Sequence, residues 1–123
     1  MKESGVLKEC LWCFAHHGFT VLMPGWKTPY EVDSQKGVVW RNNTGGMKDK
    51  TGRHFIRFGV NGMPDILGIT ATGRFLGCEV KKPGEKPSEI QMWCHQLIDK
   101  LGGIIFWVTS YEECDKKLKE AGL

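Results

Sequence analysis

The sequence predicts an α/β fold with a mixed central β-sheet flanked by helices, and three observations support this fold class. An apolar stripe with helical spacing lies near the beginning of the chain, and alternating or apolar strand segments follow it. Two further helical segments begin at capping motifs, with an apolar strand between them. We expect that strand to enter the sheet parallel to an earlier strand, as a crossover, so the order of core elements is αβββαβ.

Two of the helices are predicted from apolar residues at helical spacing together with their end signals. The first covers residues 3–17, and Gly18 is a natural stop after its last turn. The second begins at Ser88, which forms a capping box with Gln91 three residues later, and its apolar stripe continues to Gly102. Both helices have an apolar face that can pack on a sheet.

The strands are predicted from segments in which apolar and polar residues alternate and from short apolar runs. The segments "FTVLM" and "HFIRF" and the two segments that flank "ATG" are of these kinds, while "IIFWVTS" is typical of a strand buried on both faces. Ser110 and Glu113 repeat the capping pattern for a last helix that ends at Gly122. The stretch from Pro24 to Arg53 is interpreted as a long polar connection, interrupted only by the apolar patch Val38 to Trp40.

Length and composition are those of a single ordered domain over residues 1–123, with 41% hydrophobic and 25% charged residues. A formal charge of +3 permits a polyanionic partner without indicating one by itself. Five scattered cysteines favour reduced thiols in the cytoplasm over a disulfide framework. No apolar run reaches the roughly 18 residues that a membrane helix needs, so no membrane association is expected.

The segment "PDILGITATGRFLGCEVKK", residues 64–82, places charges at both ends of a predicted hairpin. If residues 71–73 form a three-residue loop with Gly73 at positive φ, then Asp65 lies opposite Glu79 and their β-carbons are about 4.5 to 5.5 Å apart. Because side chains two residues apart on a strand point to the same face, Lys81 lies on the same face as Glu79. A two-residue turn would instead pair Asp65 with Val80 and divide the charges between the faces.

Two carboxylates on one face suit a hard cation such as Mg²⁺, and a lysine beside them suits the hydrolysis of a phosphodiester. The cation would polarise a phosphoryl oxygen, and the ammonium of Lys81 would orient the attacking water or offset the charge of the transition state. The alternative is structural: solvated charges at strand ends, with a surface ion pair that contributes about 0 to 1 kcal/mol.

The segments "MPDILGI" and "CEVKK" resemble the PD-(D/E)XK nuclease signature, and the wider pattern resembles the virus-type replication-repair nuclease (VRR-NUC) domain. The further matching segments are "RNNTGG", "GRHFIRFGVNGMPDILGI", "GRFLGCEVKKPGEKPSEIQ" and "LGGIIFWVTSYEE". The resemblance implies a restriction-endonuclease-like core that binds Mg²⁺ or Mn²⁺. It implies metal ligands at Asp65, Glu79 and the Val80 carbonyl, a catalytic Lys81, and Gln91 near the active site or the substrate.

A glutamate of the first helix usually completes such sites in the family, and Glu3 and Glu9 are the two positions available. We favour Glu3, because "ESGV" matches the early family pattern and because Glu3 shares a helical stripe with Leu7. The alternative for Glu3 is an acid stabilised by the helix dipole, worth about 0.3 to 1 kcal/mol. For Gln91 the alternative is its capping role alone.

Basic and amide side chains in and beside the long connection are expected to contact DNA phosphates, although a solvated loop is the alternative. The expected nucleic-acid-binding residues are Arg41, Asn43, Lys48, Arg53, Arg57 and Lys82, with Asn42 and Lys50 beside them.

Cys10 and Cys13, followed by His16 and His17, have spacings that occur in zinc sites. All four fall within one predicted helix, and no second cysteine pair is present to complete a tetrahedron. A zinc site is therefore not expected from these residues alone. A redox pair is disfavoured too, because no strand precedes the motif.

The expected function is that of a metal-dependent DNA endonuclease. By resemblance to stand-alone members of the family, we expect a homodimer that cleaves branched DNA such as Holliday junctions, with a phage or prophage origin. A catalytically inert DNA-binding module and a metal-binding protein without a nucleic-acid role are the alternatives. Aromatic and apolar residues of the long connection are expected to supply the dimer interface: Trp26, Tyr30, Val38, Val39 and Trp40.

Overall fold

The computed structural model describes residues 2–27, 36–42, 46–57 and 59–123, with positions 46 and 57 described by their backbone alone. Three helices and seven strands are present in these residues. In chain order they are α1 (Glu3–His16), β1 (Thr20–Val21), β2 (Gly37–Arg41), β3 (Gly46–Lys48), β4 (Phe55–Arg57), β5 (Ile66–Thr70), β6 (Phe75–Val80), α2 (Glu89–Lys100), β7 (Ile104–Val108) and α3 (Tyr111–Glu120).

A five-stranded mixed sheet in the order β1-β2-β5-β6-β7 forms the centre of the fold. The β2–β5 and β5–β6 pairs are antiparallel, whereas β1–β2 and β6–β7 are parallel. The connection from β6 through α2 to β7 is therefore the predicted crossover. The predicted α/β class, with a mixed sheet flanked by helices, is confirmed.

The main core lies between one face of the sheet and the helices α1 and α3. Alternation sends Leu76, Cys78 and Val80 of β6 to this face, and the ring of Phe106 stacks on Phe14 of α1 at 6.4 Å. On the other face, Ile98 of α2 packs at the end of β7. The buried hydrophobic residues of the main core are Val6, Cys10, Cys13, Phe14, Phe19, Val39, Ile66, Leu76, Cys78, Val80, Phe106, Val108, Cys114 and Leu118.

The apolar patch Val38 to Trp40 is part of β2 and does not interrupt a loop. It pairs with β1 on one side and β5 on the other, and Val39 is completely buried. The prediction that Val39 contributes to a dimer interface is therefore wrong, because its side chain belongs to the core. Tyr30 lies outside the described residues, while Trp26 is exposed.

Three other strand predictions need correction. The strand predicted from "FTVLM" covers only Thr20–Val21. The strand in "HFIRF" is β4, which pairs with β3 in a separate two-stranded sheet. β7 is an edge strand among the described strands, and its buried residues, Phe106 and Val108, alternate onto the main-core face, so the strand is not buried on both faces.

Both capping motifs are present, with one difference from the prediction. The Ser88 hydroxyl accepts a hydrogen bond from the backbone N–H of Gln91. In return, the side-chain oxygen of Gln91 accepts a hydrogen bond of 2.8 Å from the backbone N–H of Ser88. At α3 the Ser110 hydroxyl accepts a hydrogen bond from the backbone N–H of Glu113. The Glu113 carboxylate, however, accepts a hydrogen bond from the backbone N–H of Thr109, whereas a capping box would use the N–H of Ser110.

The hairpin between β5 and β6 has the predicted three-residue loop. The Thr70 amide donates to the Arg74 carbonyl at 2.9 Å, and Gly73 adopts a φ of 85°. The last ladder pair before the charged end is Ile66 with Cys78. This register excludes the two-residue turn, so the next opposed positions are Asp65 and Glu79. Among the described helices, none has the length and apolarity needed to cross a membrane.

Candidate active site

The candidate site lies at the open end of the β5–β6 hairpin, where the chain enters β5 and leaves β6. The register places Asp65 and Glu79 one position beyond the last pair of the ladder. The Oδ2 atom of Asp65 accepts a hydrogen bond of 2.8 Å from the Val80 amide, which ties the carboxylate to the end of β6. The two acids therefore meet at one end of the sheet.

Two hydrogen bonds from Asn42 and the packing of Pro64 hold the segment that carries Asp65. The Asn42 amide donates to the Asp65 carbonyl at 2.7 Å, and the Asn42 side chain donates to the Pro64 carbonyl at 3.1 Å. Pro64 is itself buried against Gly77, where a Cβ atom would lie only 2.9 Å from Cγ of the proline ring. Gly77 thus allows the segment that carries Asp65 to pack directly on β6.

Glu79 is almost completely buried, with 1% of its surface exposed. Burial raises the pKa of its carboxyl from 4.5 to about 9, and the neighbouring Asp65 carboxylate adds to the rise. The positive charge of Lys81 opposes this shift, and the negative charge of Glu3 reinforces it weakly. These effects indicate a site that favours an added positive charge, because the buried Glu79 carboxyl meets a second, half-buried carboxylate.

The Glu79 carboxylate is incompletely hydrogen bonded. Its Oε1 atom accepts a long bond of 3.4 Å from the Gln91 side chain, whereas the buried Oε2 atom has no hydrogen-bond partner among the described residues. An unpaired buried carboxylate oxygen is costly, and it is a suitable ligand for a hard cation. The donor set around Asp65 and Glu79 therefore fits a divalent metal ion such as Mg²⁺ or Mn²⁺.

Gln91 contacts both the helix start and the site. Its carboxamide oxygen accepts from the Ser88 amide, so its NH₂ group is the part directed to Glu79. The capping role and the position beside the acid thus occur together. Val80 contributes its amide to Asp65, and its side chain is buried on the opposite face of the sheet.

Glu3 is the first residue of α1, and its charge acts on Glu79. Glu9 lies six residues further along α1, which corresponds to about 9 Å of rise and a different helix face. Glu9 is not among the groups that shift the pKa of Glu79 in the described part of the chain. Of the two glutamates, Glu3 is the one whose charge contributes to the raised pKa of Glu79.

The described members of the expected DNA-binding set lie on β2, directly after β6, and on and beside the β3–β4 hairpin. Arg41 is exposed and pairs with Ile66, beside Asp65, although alternation places it on the opposite face of the sheet. Lys82 follows the site directly and forms a surface ion pair of 3.2 Å with Glu85. Lys48 and Arg53 are exposed on and beside the β3–β4 hairpin.

Asn43 and the side chain of Arg57 lie outside the described residues. Sequence reasoning misses the role of Asn42, because it groups this residue with those expected to bind phosphate. Its two bonds to residues 64 and 65 show a positioning role that only the β2–β5 pairing reveals. The available signal is that Asn42 closely follows the apolar patch that forms β2.

A solved structure described as a VRR_NUC domain has the same fold as this chain. The two share 26% sequence identity with a TM-score of 0.59, and the match covers 98% of this chain and 96% of the other. No protein-family model and no curated protein matches the sequence. The fold, the position of the hairpin and this similarity support the interpretation of the chain as a VRR-NUC domain, a domain of the nuclease type.

Proposed function

We propose that this chain is a DNA endonuclease that hydrolyses phosphodiester bonds with the help of Mg²⁺ or Mn²⁺. One observation carries the proposal: the buried Glu79 carboxylate, with an unpaired oxygen among the described residues, lies opposite Asp65 at the end of a fixed hairpin. A purely structural pair of strand-end acids would be solvated. Burying one carboxyl group beside a second, half-buried one costs stability and is typical of sites that bind a cation or carry out proton chemistry.

In this proposal Asp65, Glu79 and the Val80 carbonyl hold the cation, with Glu3 completing the site. When bound, a divalent cation polarises a phosphoryl oxygen and lowers the pKa of a water molecule. Lys81 orients the attacking water and offsets the negative charge that develops on the phosphate. Gln91 orients the Glu79 carboxylate through its NH₂ group. Asn42 keeps Asp65 in place by bonding the backbone before β5.

The proposed substrate is branched DNA of the Holliday-junction type, cut by a homodimer. Coordinated cutting of two strands requires two active sites, and a two-fold symmetric pair of identical chains is the commonest arrangement that supplies them. Arg41, Lys48, Arg53 and Lys82, with Asn43 and Arg57, would bind phosphates on either side of the scissile bond. Their contacts are sequence-independent, so affinity for DNA should decrease as salt concentration increases.

All five cysteines are free thiols. This agrees with the proposal that the protein acts in the reducing cytoplasm, in a cell infected by a phage or carrying a prophage. Four of the five are buried.

The proposal is tested by incubating the protein with a four-way junction and with linear duplex of the same sequence, in Mg²⁺ or in EDTA. The expected result is Mg²⁺-dependent cleavage of the junction in preference to the duplex, and no cleavage in EDTA. Light scattering at micromolar concentration should report twice the mass of the chain. DNA binding without cleavage in Mg²⁺ would indicate an inert DNA-binding module. Cleavage in EDTA would exclude the metal mechanism.

A further inference from the structure

A group of three metal-ligating side chains lies at the other end of α1 from the candidate active site. Cys13 and His17 project from the last turn and the C-terminal cap of α1, and Asp115 projects from α3. One ligand atom from each lies within 4.8 Å of those of the other two. Glu3 and His17 are separated by fourteen residues, about 21 Å along the helix axis, so this group is distinct from the hairpin site.

The hydrogen bonds of His17 specify which nitrogen faces the group. Its Nδ1 atom is 3.2 Å from the carbonyl oxygen of Leu123, and a carbonyl can only accept, so Nδ1 carries the proton. The Nε2 atom then faces Oδ1 of Asp115 at 2.7 Å. In the neutral ring both of these atoms are acceptors, so the distance of 2.7 Å fits a proton shared between them. Two ligands of one tetrahedral Zn²⁺ ion, each about 2.0 Å from the metal, lie somewhat farther apart.

A proton would make this contact a simple ion pair, and Lys119 extends that arrangement with a bond of 2.9 Å to Oδ2 of Asp115. The position of Cys13 favours a metal instead. Its side chain is buried four residues before His17, the helical spacing at which two side chains share one face and can bind one ion. An ion pair between His17 and Asp115 leaves the nearby Cys13 thiol with core packing as its role, whereas a metal ion would also use it as a ligand.

The chemistry of the three donors indicates the ion. A thiolate, an imidazole nitrogen and a carboxylate oxygen together form a donor set that selects Zn²⁺ over Mg²⁺. A bond from the other ring nitrogen to a backbone carbonyl is the usual second contact of a zinc-bound histidine. The site is also reachable from solvent, since 12% of the His17 side chain and 30% of the Asp115 side chain are exposed.

We propose that Cys13, His17 and Asp115 bind one Zn²⁺ ion that joins the end of α1 to α3, with water as a fourth ligand. Binding displaces the thiol proton of Cys13 to solvent and leaves the other ligands as they are. Cys10 takes no part, because it is not among the grouped ligands and its thiol donates to the Ser110 carbonyl at 3.9 Å. The sequence motif therefore contributes only Cys13 and His17, and the third ligand comes from α3.

Titration with Co²⁺ in the presence of excess Mg²⁺ tests the site, because cobalt bound to a thiolate has a charge-transfer band that oxygen ligands at the hairpin site do not produce. We expect the band to reach its maximum at one equivalent of Co²⁺ and to disappear when Zn²⁺ is added. Cys13→Ser should abolish the band. His17→Gln should weaken Co²⁺ affinity by more than about 100-fold, which exceeds the typical loss on removing an outer contact of a metal ligand.

Cys94→Ser and His16→Gln are the matched controls, because each changes the same residue type outside the group. Both should keep the band and its affinity. Zn²⁺ should also raise the melting temperature of the wild type but leave that of Asp115→Asn unchanged. The absence of a thiolate band in the wild type, or equal bands in Cys13→Ser, would overturn the proposal. Neither result depends on DNA cleavage, so the nuclease proposal stands or fails separately.

Discussion

Asp65 lies directly opposite Glu79 at the open end of the β5–β6 hairpin, and its carboxylate accepts a hydrogen bond from the Val80 amide. The two acids are held in different ways. Asp65 is fixed by backbone contacts on both sides, whereas Glu79 is buried with one oxygen unpaired among the described residues. A cation bound between them would satisfy that oxygen and reduce the repulsion between the two carboxylates.

Asp65→Asn and Lys81→Ala should each reduce the rate of junction cleavage by at least about 100-fold, the scale for losing one group that stabilises the transition state. The carboxamide oxygen that Asp65→Asn introduces can still accept from the Val80 amide, so the fold of that variant should be retained. Single-turnover cleavage rates and circular dichroism measure the two effects. Lys116→Ala is the control, because its side chain is exposed on α3 and has no proposed role in cleavage or DNA binding. Near wild-type cleavage by either variant would remove that residue from the mechanism.

Glu3→Gln should weaken Mg²⁺-dependent cleavage more than Glu9→Gln does. The charge of Glu3 acts on Glu79, whereas Glu9 projects from another helix face about 9 Å further along α1. The comparison is made by measuring the cleavage rate as a function of Mg²⁺ concentration in both variants. If Glu9→Gln requires the higher concentration, the role belongs to Glu9.

Gln91 has two contacts that substitutions can separate. Gln91→Ala should lower the free energy of unfolding by about 0.5 to 1 kcal/mol through loss of the reciprocal cap bond, and it should also slow cleavage. Gln91→Glu keeps an acceptor for the Ser88 amide but adds a carboxylate beside Glu79. Chemical denaturation and cleavage rates should therefore show a stable variant that cuts slowly. Full activity in Gln91→Glu would leave Gln91 with the capping role alone.

The metal-free protein should lose stability as the pH rises from about 4.5 to about 9. In this range the unfolded chain has already released the Glu79 proton, while the folded chain retains it because the pKa is raised to about 9. The total loss should be of the order of a few kcal/mol, since one pKa unit corresponds to about 1.4 kcal/mol.

Urea denaturation in EDTA at several pH values measures this slope, and Glu79→Gln is the control that should lack it. With saturating Mg²⁺ the slope of the wild type should be smaller, because the cation stabilises the ionised carboxylate. Equal slopes for the wild type and Glu79→Gln in EDTA would show that other groups cause the pH dependence.

The hairpin and its register can be predicted because local rules determine them. A three-residue loop with glycine at positive φ fixes which residues oppose each other, and that places Asp65 across from Glu79. The capping of α2 is local in the same sense. By contrast, β2 is not recognisable as a strand of the sheet, because Val38 to Trp40 is short and is flanked by glycine, lysine and asparagine.

The remaining features depend on contacts between distant parts of the chain. The pairing of β2 with β1 and β5 buries Val39 and brings Asn42 to Asp65, which no periodic pattern indicates. The meeting of Cys13 and His17 with Asp115 requires the packing of α3 on α1. The raised pKa of Glu79 likewise follows from burial by the complete fold, and the sequence shows only that an acid is present.

The measurement that tests the account most directly is the crystal structure of the protein with bound Mn²⁺, located by its anomalous scattering. The account predicts a Mn²⁺ peak within direct coordination distance of oxygen atoms from both Asp65 and Glu79, and the loss of this peak in Glu79→Gln. The absence of a peak at the hairpin, in a protein that still cleaves DNA with Mn²⁺, would contradict it.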